Sequence, residues 1–118
     1  MKRVIIIALA LWASAGAAGP SAEQAFDQGM QAVARSEWER AFDMLETALA
    51  ADANNIRYGS EYRQAVLRRA QILHPKDGQV PDFDRSLKFF EQLVSKNPNS
   101  SNAHLNFGFA SVDKIPAA

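Results

Sequence analysis

Apolar residues recur at helical spacing from Ser21 nearly to the end of the chain, and no segment shows the two-residue alternation of a half-buried strand. Ala22, Ala25, Phe26, Gly29, Met30 and Val33 form one stripe over three turns, and Trp38, Ala41, Phe42, Leu45, Ala48 and Leu49 form a second. Ser21 with Gln24, and Ser36 with Glu39, each fit a capping box, in which a serine hydroxyl and a Glu or Gln side chain reciprocally satisfy free helix-start amides. Arg35 and Ser36 leave almost no linker, so the two helices are expected to fold back as an antiparallel hairpin. Asp52-Ala53-Asn54-Asn55 supplies turn chemistry after the second helix. A third is expected over 56–73, with Tyr58, Tyr62, Ala65, Val66, Ala70 and Leu73 on one face. The segment 74–81 reads as a loop, with Pro75 stopping the helix and Gly78 permitting a turn. Asp82 is the expected N-cap of a fourth helix, striped by Phe83, Leu87, Phe90, Leu93 and Val94. Asn97-Pro98-Asn99-Ser100 closes it, and a fifth helix starts near Ser101. The expected fold class is therefore all-α, built from antiparallel helix hairpins.

The chain begins differently. Lys2 and Arg3 precede an unbroken apolar run, Val4 to Trp12, followed by the small residues of 13–18. This is the layout of a secretory signal peptide, with cleavage expected after Ala15, Ala17 or Ala18. A membrane anchor would need roughly 20 apolar residues, which would draw Gly16, Gly19 and Pro20 into the span. The expected localisation is thus periplasmic or secreted, with no stable membrane insertion after cleavage. The organisation that follows is a signal peptide at 1–18 and one helical domain at 22–118.

The helical residues resemble the tetratricopeptide repeat (TPR) family. Ala41-x3-Leu45-x2-Ala48 on a second helix, with Gly29 twelve residues earlier on the first, matches its helix-turn-helix signature. Ser86-x3-Phe90-x2-Leu93 leading to Pro98 matches the second half again. Asn102-Ala103-His104-Leu105-Asn106-Phe107-Gly108 is similar to the opening of a further repeat, with Phe107-Gly108 at the family's Leu-Gly pair. Ala41 to Ser86 is 45 positions and Gly29 to Gly108 is 79, which exceed one and two periods of about 34 by the same eleven residues. One insertion near 74–81 accounts for both. The resemblance implies repeat 1 at 22–55, repeat 2 at 56–100 and a partial repeat 3 at 101–118, stacked as a short right-handed solenoid of about two and a half repeats. Two departures stand out: Arg63 falls where the family has glycine, which should splay that hairpin, and Ala53 replaces the first exit proline.

The last helix carries two apolar stripes. Ala103, Phe107 and Ala110 make one; Leu105, Phe109 and Val112 make another, because residues two apart lie about 200° around a helix. A helix apolar on two faces expects neighbours on both. Three readings stay open: a piece of a longer repeat protein, a face completed by another copy or a partner, or a patch left exposed.

Charge and composition narrow the chemistry. Thirteen Lys and Arg balance thirteen Asp and Glu, which gives no support to nucleic-acid binding; loss of Lys2 and Arg3 leaves 11 basic residues against 13. The absence of cysteine excludes disulfides, thiolate metal sites and a cysteine nucleophile. His74 and His104 lack the paired short spacing of a metal site; His74 fits a helix C-terminus, and the resemblance places His104 as a ring between helices. Asp82 with Asp84 reads as an N-cap and first-turn pair rather than a catalytic dyad. No G-x-S-x-G elbow or phosphate-binding glycine loop occurs. No catalytic residue, metal or cofactor is expected.

What remains is binding. The resemblance implies a concave groove lined by the first helix of each pair, suited to a peptide or protein segment. Its positions fall on Glu23, Met30 and Ala34; on Arg57, Ser60, Gln64 and Arg68; and on Asn102, Leu105 and Phe109. Arg57, Gln64 and Arg68 share one helical face and would suit an acidic segment or a terminal carboxylate, or would form a plain solvated face, whereas Arg69 points elsewhere and reads as surface. The expected function is a non-catalytic interaction scaffold in the bacterial envelope, self-associating through the last helix or not. The alternative is the helical part of a larger envelope protein or enzyme.

Overall fold

The computed structural model describes residues 19–73 and 81–113, and among them every regular element is an α-helix. The order is α1 (Ala22–Ala34), α2 (Trp38–Ala51), α3 (Ile56–Leu73), α4 (Pro81–Lys96) and α5 (Ser101–Asp113). The expected signal segment and most of the expected loop, 74–80, lie outside the described residues. The molecule measures 59 × 35 × 19 Å. Its thinnest dimension admits two layers of helices about 10 Å across.

The capping box at the start of α1 forms as the sequence requires: the Ser21 hydroxyl accepts from the Gln24 amide at 3.1 Å, and the Ser21 amide donates to Gln24 Oε1 at 3.0 Å. The second box does not form. Ser36 instead takes the left-handed conformation (φ 59°) that ends α1. The Ser36 amide donates to Val33 O at 3.0 Å and the Glu37 amide to Ala32 O at 2.9 Å, the paired bonds of a Schellman turn. Glu37 is left to begin α2 without a side-chain cap bond. The tightness of this turn requires a left-handed residue, and that requirement overrides the capping signature.

Asn55 caps α3 by accepting from the Tyr58 amide at 3.1 Å, and Ser100 caps α5 by accepting from the Ala103 amide at 3.1 Å. Helix α4 starts at Pro81, whose fixed φ and missing N–H suit a first helical position. Asp82 is consequently inside the first turn and buried, not the N-cap the sequence suggested.

Helices α1 and α2 form the tightest pair. A Cβ added at Gly29 would lie 2.8 Å from the Leu45 side chain and 3.2 Å from its backbone nitrogen, so only glycine allows this crossing. Ala41, Leu45 and Ala48 are fully buried beneath it. A chain of rings runs on from there: Phe26 stacks on Tyr58 at 4.6 Å, and Tyr62 meets Phe42, Phe89 and Phe90 edge-on at 6.2, 5.5 and 5.5 Å. Tyr62 thereby joins α2, α3 and α4 at one buried point. Helices α3 and α4 touch sparsely, whereas α4 packs along α5 and α3 also reaches α5.

Candidate partner-binding face

Two groups of residues stand out on the helix array, an ionic web between helices and an exposed surface. The first is an ionic web around Arg85 of α4. Its guanidinium contacts three carboxylates of α2, which stand one helical turn apart: Asp43 at 2.7 Å, Glu46 at 2.8 Å and Glu39 at 3.1 Å. Glu46 also accepts from the Tyr62 hydroxyl at 2.5 Å. Arg69 of α3 adds contacts to Glu39 at 3.1 Å and to Asp82 at 3.4 Å, and both guanidinium groups lie over the Phe42 ring. Arg69 is therefore not the surface residue the sequence suggested; it ties α3 to α2 and α4.

The electrostatics follow from this geometry. Hydrogen bonding to Glu46 raises the Arg85 pKa above its ordinary value, against the burial that opposes it, so the guanidinium is held charged. Burial, followed by the adjacent Glu46 charge, pushes the Tyr62 phenol far above its ordinary range. Burial also raises the Asp82 carboxyl, opposed by Arg69. Asp82 Oδ2 is buried with no aligned hydrogen-bond donor, so its ion pair with Arg69 only partly offsets the lost hydration. These groups hold one another in place across α2, α3 and α4. Among the described residues no cluster of three or more His, Asp or Glu side chains could hold a metal ion.

The second group is formed by the exposed faces of α3 and α5. Arg57 is exposed, with its guanidinium 4.8 Å above the Phe26 ring; Gln64 is exposed and donates to Ser60 Oγ at 2.9 Å; Arg68 is exposed one turn further along. Half-buried Glu61 lies on the same stripe as Arg57, Gln64 and Arg68, so this face alternates in sign instead of being purely basic. On α5, Leu105 is 56% exposed, Phe109 43% and Val112 64%, and Ile56 at the start of α3 is 74% exposed. Leu105 and Ile56 line one shallow hollow of about 270 Å³ together with Asn54, Ser101 and Asn102. Helix α5 is thus covered along Ala103 and Ala110, with Phe107 half-buried beside them, and open along the other apolar stripe.

Asn102 edges that hollow but is not one of the exposed residues of the face. It is buried, and its amide donates to Ala53 O at 3.0 Å and Asn55 O at 3.1 Å, which pins α5 to the turn between α2 and α3. Ser100 assists by bonding Asn54 Oδ1 at 2.8 Å. His104 is likewise not a ring packed between helices: it is exposed, and its Nε2 lies 2.8 Å from Pro98 O. His74 lies outside the described residues.

Sequence reasoning noted Arg63 as a departure from the family pattern but missed the role it plays. It forms a two-pronged pair with Asp113 at 3.0–3.1 Å and covers the Phe109 ring at 4.4 Å, which clamps α3 to α5. The close backbone approach between these helices falls at Gly59, where an added Cβ would meet the Asn106 side chain.

No family model, curated protein or solved structure matches this chain. The site therefore rests on its own geometry. That geometry is an exposed apolar stripe on α5 and an exposed mixed-charge stripe on α3, with Arg63 clamping the two helices together, and among the described residues no helix is long and apolar enough to cross a membrane.

Proposed function

We propose that this chain is an exported, TPR-like helical scaffold that binds a protein segment on the exposed faces of α3 and α5. The observation that carries the reading is the open stripe of Leu105, Phe109 and Val112 on α5, with Arg57, Gln64 and Arg68 exposed on the α3 helix it packs against. Exposed apolar residues rimmed by polar ones are the surface signature of interaction sites where they form one contiguous patch. The glycine-tight α1–α2 hairpin and the 79-residue offset between Gly29 and Gly108 support the repeat architecture. The positive and apolar layout of residues 2–12 supports export.

Site-specific photo-crosslinking tests this. A benzophenone side chain at position 68 or 109 should give a discrete adduct in the native host's envelope fraction. The same probe at exposed positions 88 or 91 of α4 should not, and the double variant Arg57→Glu/Arg68→Glu should reduce the adducts. Equal labelling at all four positions, or none at 68 and 109, would overturn the reading.

A further inference from the structure

Advancing the buried face of α1 by the 79 positions that separate Gly29 from Gly108 places it on α5. Ala25, Phe26, Gly29, Ala32 and Val33, all buried in α1, fall on His104, Leu105, Gly108, Ser111 and Val112. All five α5 positions are exposed. At Gly29 an added Cβ would meet Leu45 of α2 at 2.8 Å; at Gly108 it would meet nothing within 4 Å. The buried side of α1, which meets Leu45 of α2 at Gly29 and Tyr58 of α3 at Phe26, thus has a counterpart on α5 that no described helix covers.

From this correspondence we infer that the open face of α5 receives an amphipathic helix of the α2 type, supplied by a partner and seated across Gly108. The inference rests on the scaffold reading above and specifies the occupant. Its chemistry follows from α2: small residues at the crossing and a branched apolar side chain over the glycine, as in Ala41-x3-Leu45-x2-Ala48. The two polar residues of the face are partly satisfied within the chain. Ser111 Oγ donates back to Phe107 O at 2.9 Å and His104 Nε2 lies 2.8 Å from Pro98 O, which leaves His104 Nδ1 to be met by a polar group of the occupant. Residues 101–112 carry no Asp, Glu, Lys or Arg, so no full charge needs desolvation along the contact. A folded second copy cannot supply the occupant from its own α2, because Ala41, Leu45 and Ala48 are fully buried against α1.

The probe is a fluorescein-labelled peptide with the sequence of residues 37–52, held helical by a lactam between Glu39 and the side chain introduced by Asp43→Lys. Without the bridge, a helix this short is marginal in water. Titrated with the full chain, the peptide should bind saturably at one site. Leu105→Asp should weaken binding at least tenfold. Gly108→Gln should do the same by blocking the crossing, yet raise the melting temperature of the free chain, since glutamine is the better helix former and has open space there. Absence of saturable binding, or equal binding by the parent and both variants, overturns the inference. So does concentration-dependent dimerisation of the chain that Leu105→Asp abolishes, because the occupant is then a second copy. Photo-crosslinks at positions 68 and 109 that persist when the peptide fails to bind would leave the scaffold reading standing and remove only the assignment of its partner.

Discussion

At one end of the molecule Gly29 lies under Leu45, with no room for a methyl group; at the other, Gly108 opens onto empty space. The flanking residues follow suit. Phe26 is buried against Tyr58, whereas Leu105, 79 positions later, is more than half exposed. The contrast teaches that the glycine and apolar spacing of a helix encode a contact face but not whether that face is filled. In α1 the face is filled by the chain itself. In α5 the other side is filled instead, by Asn102, Ala103, Asn106 and Ala110 against α3 and α4.

The largest break between the two ends should come from truncation. Phe26→Ala is expected to cost about 3–4 kcal/mol, whereas Leu105→Ala should cost under about 0.5 kcal/mol; urea unfolding of both variants measures this. Similar losses would mean that the α5 face is covered in solution. The glycine pair should change sign. Gly29→Ala should destabilise by about 1–3 kcal/mol, because fully buried Leu45 has nowhere to move, and Gly108→Ala should stabilise by up to about 1 kcal/mol, read as opposite shifts in thermal midpoint.

Two smaller changes sharpen the comparison. Ser36 holds a left-handed conformation in the turn that closes the α1–α2 hairpin. Ser36→Gly should therefore gain about 0.5–1 kcal/mol in thermal unfolding, after the entropic cost of glycine, with no effect on peptide binding to α5. Asp82 lies between the two ends, within the ionic web, and its effect should be the smallest. Burial raises its carboxyl above the unfolded value, so the folded chain binds that proton more readily and ionisation weakens the fold as pH rises through the folded pKa. Asp82→Asn should melt slightly above the parent at pH 7, and the gap should close as acid protonates the parent. A gap that widens in acid would show that the Arg69 pair outweighs desolvation.

Much of this architecture could be read from spacing alone. Stripes of period 3.6 located all five helices of the described residues, and Gly29 with Ala41-x3-Leu45-x2-Ala48 marked the tight hairpin. Both apolar stripes of α5 were also legible, because a helix surface follows directly from residue number. What escaped were choices made by distant partners. Arg63 and Asp113 are 50 positions apart and Arg85 and Asp43 are 42 apart, and no local pattern tells which charges will meet. Arg69 was misplaced on the surface for the same reason. Ser36 and Asp82 resembled N-caps because Ser and Asp favour helix starts, but Ser36 ends α1 in a Schellman turn and a start at Pro81 puts Asp82 inside the first turn of α4. Asn102 fell on the face implied by the resemblance, yet the free carbonyls of Ala53 and Asn55 drew its amide inward. For the candidate site, the exposed residues Arg57, Gln64, Arg68, Leu105 and Phe109 were legible, and the Arg63 clamp beside Phe109 was not.

The most direct test of an open, α1-like face on α5 is amide hydrogen exchange on the full chain, with and without the bridged peptide of residues 37–52. The amides of 108–112 should exchange faster than those of 29–33 in the free chain, then slow at least tenfold when the peptide is saturating, while those of 29–33 stay unchanged. Protection in α5 that already equals that of α1, or that the peptide does not alter, would contradict the account.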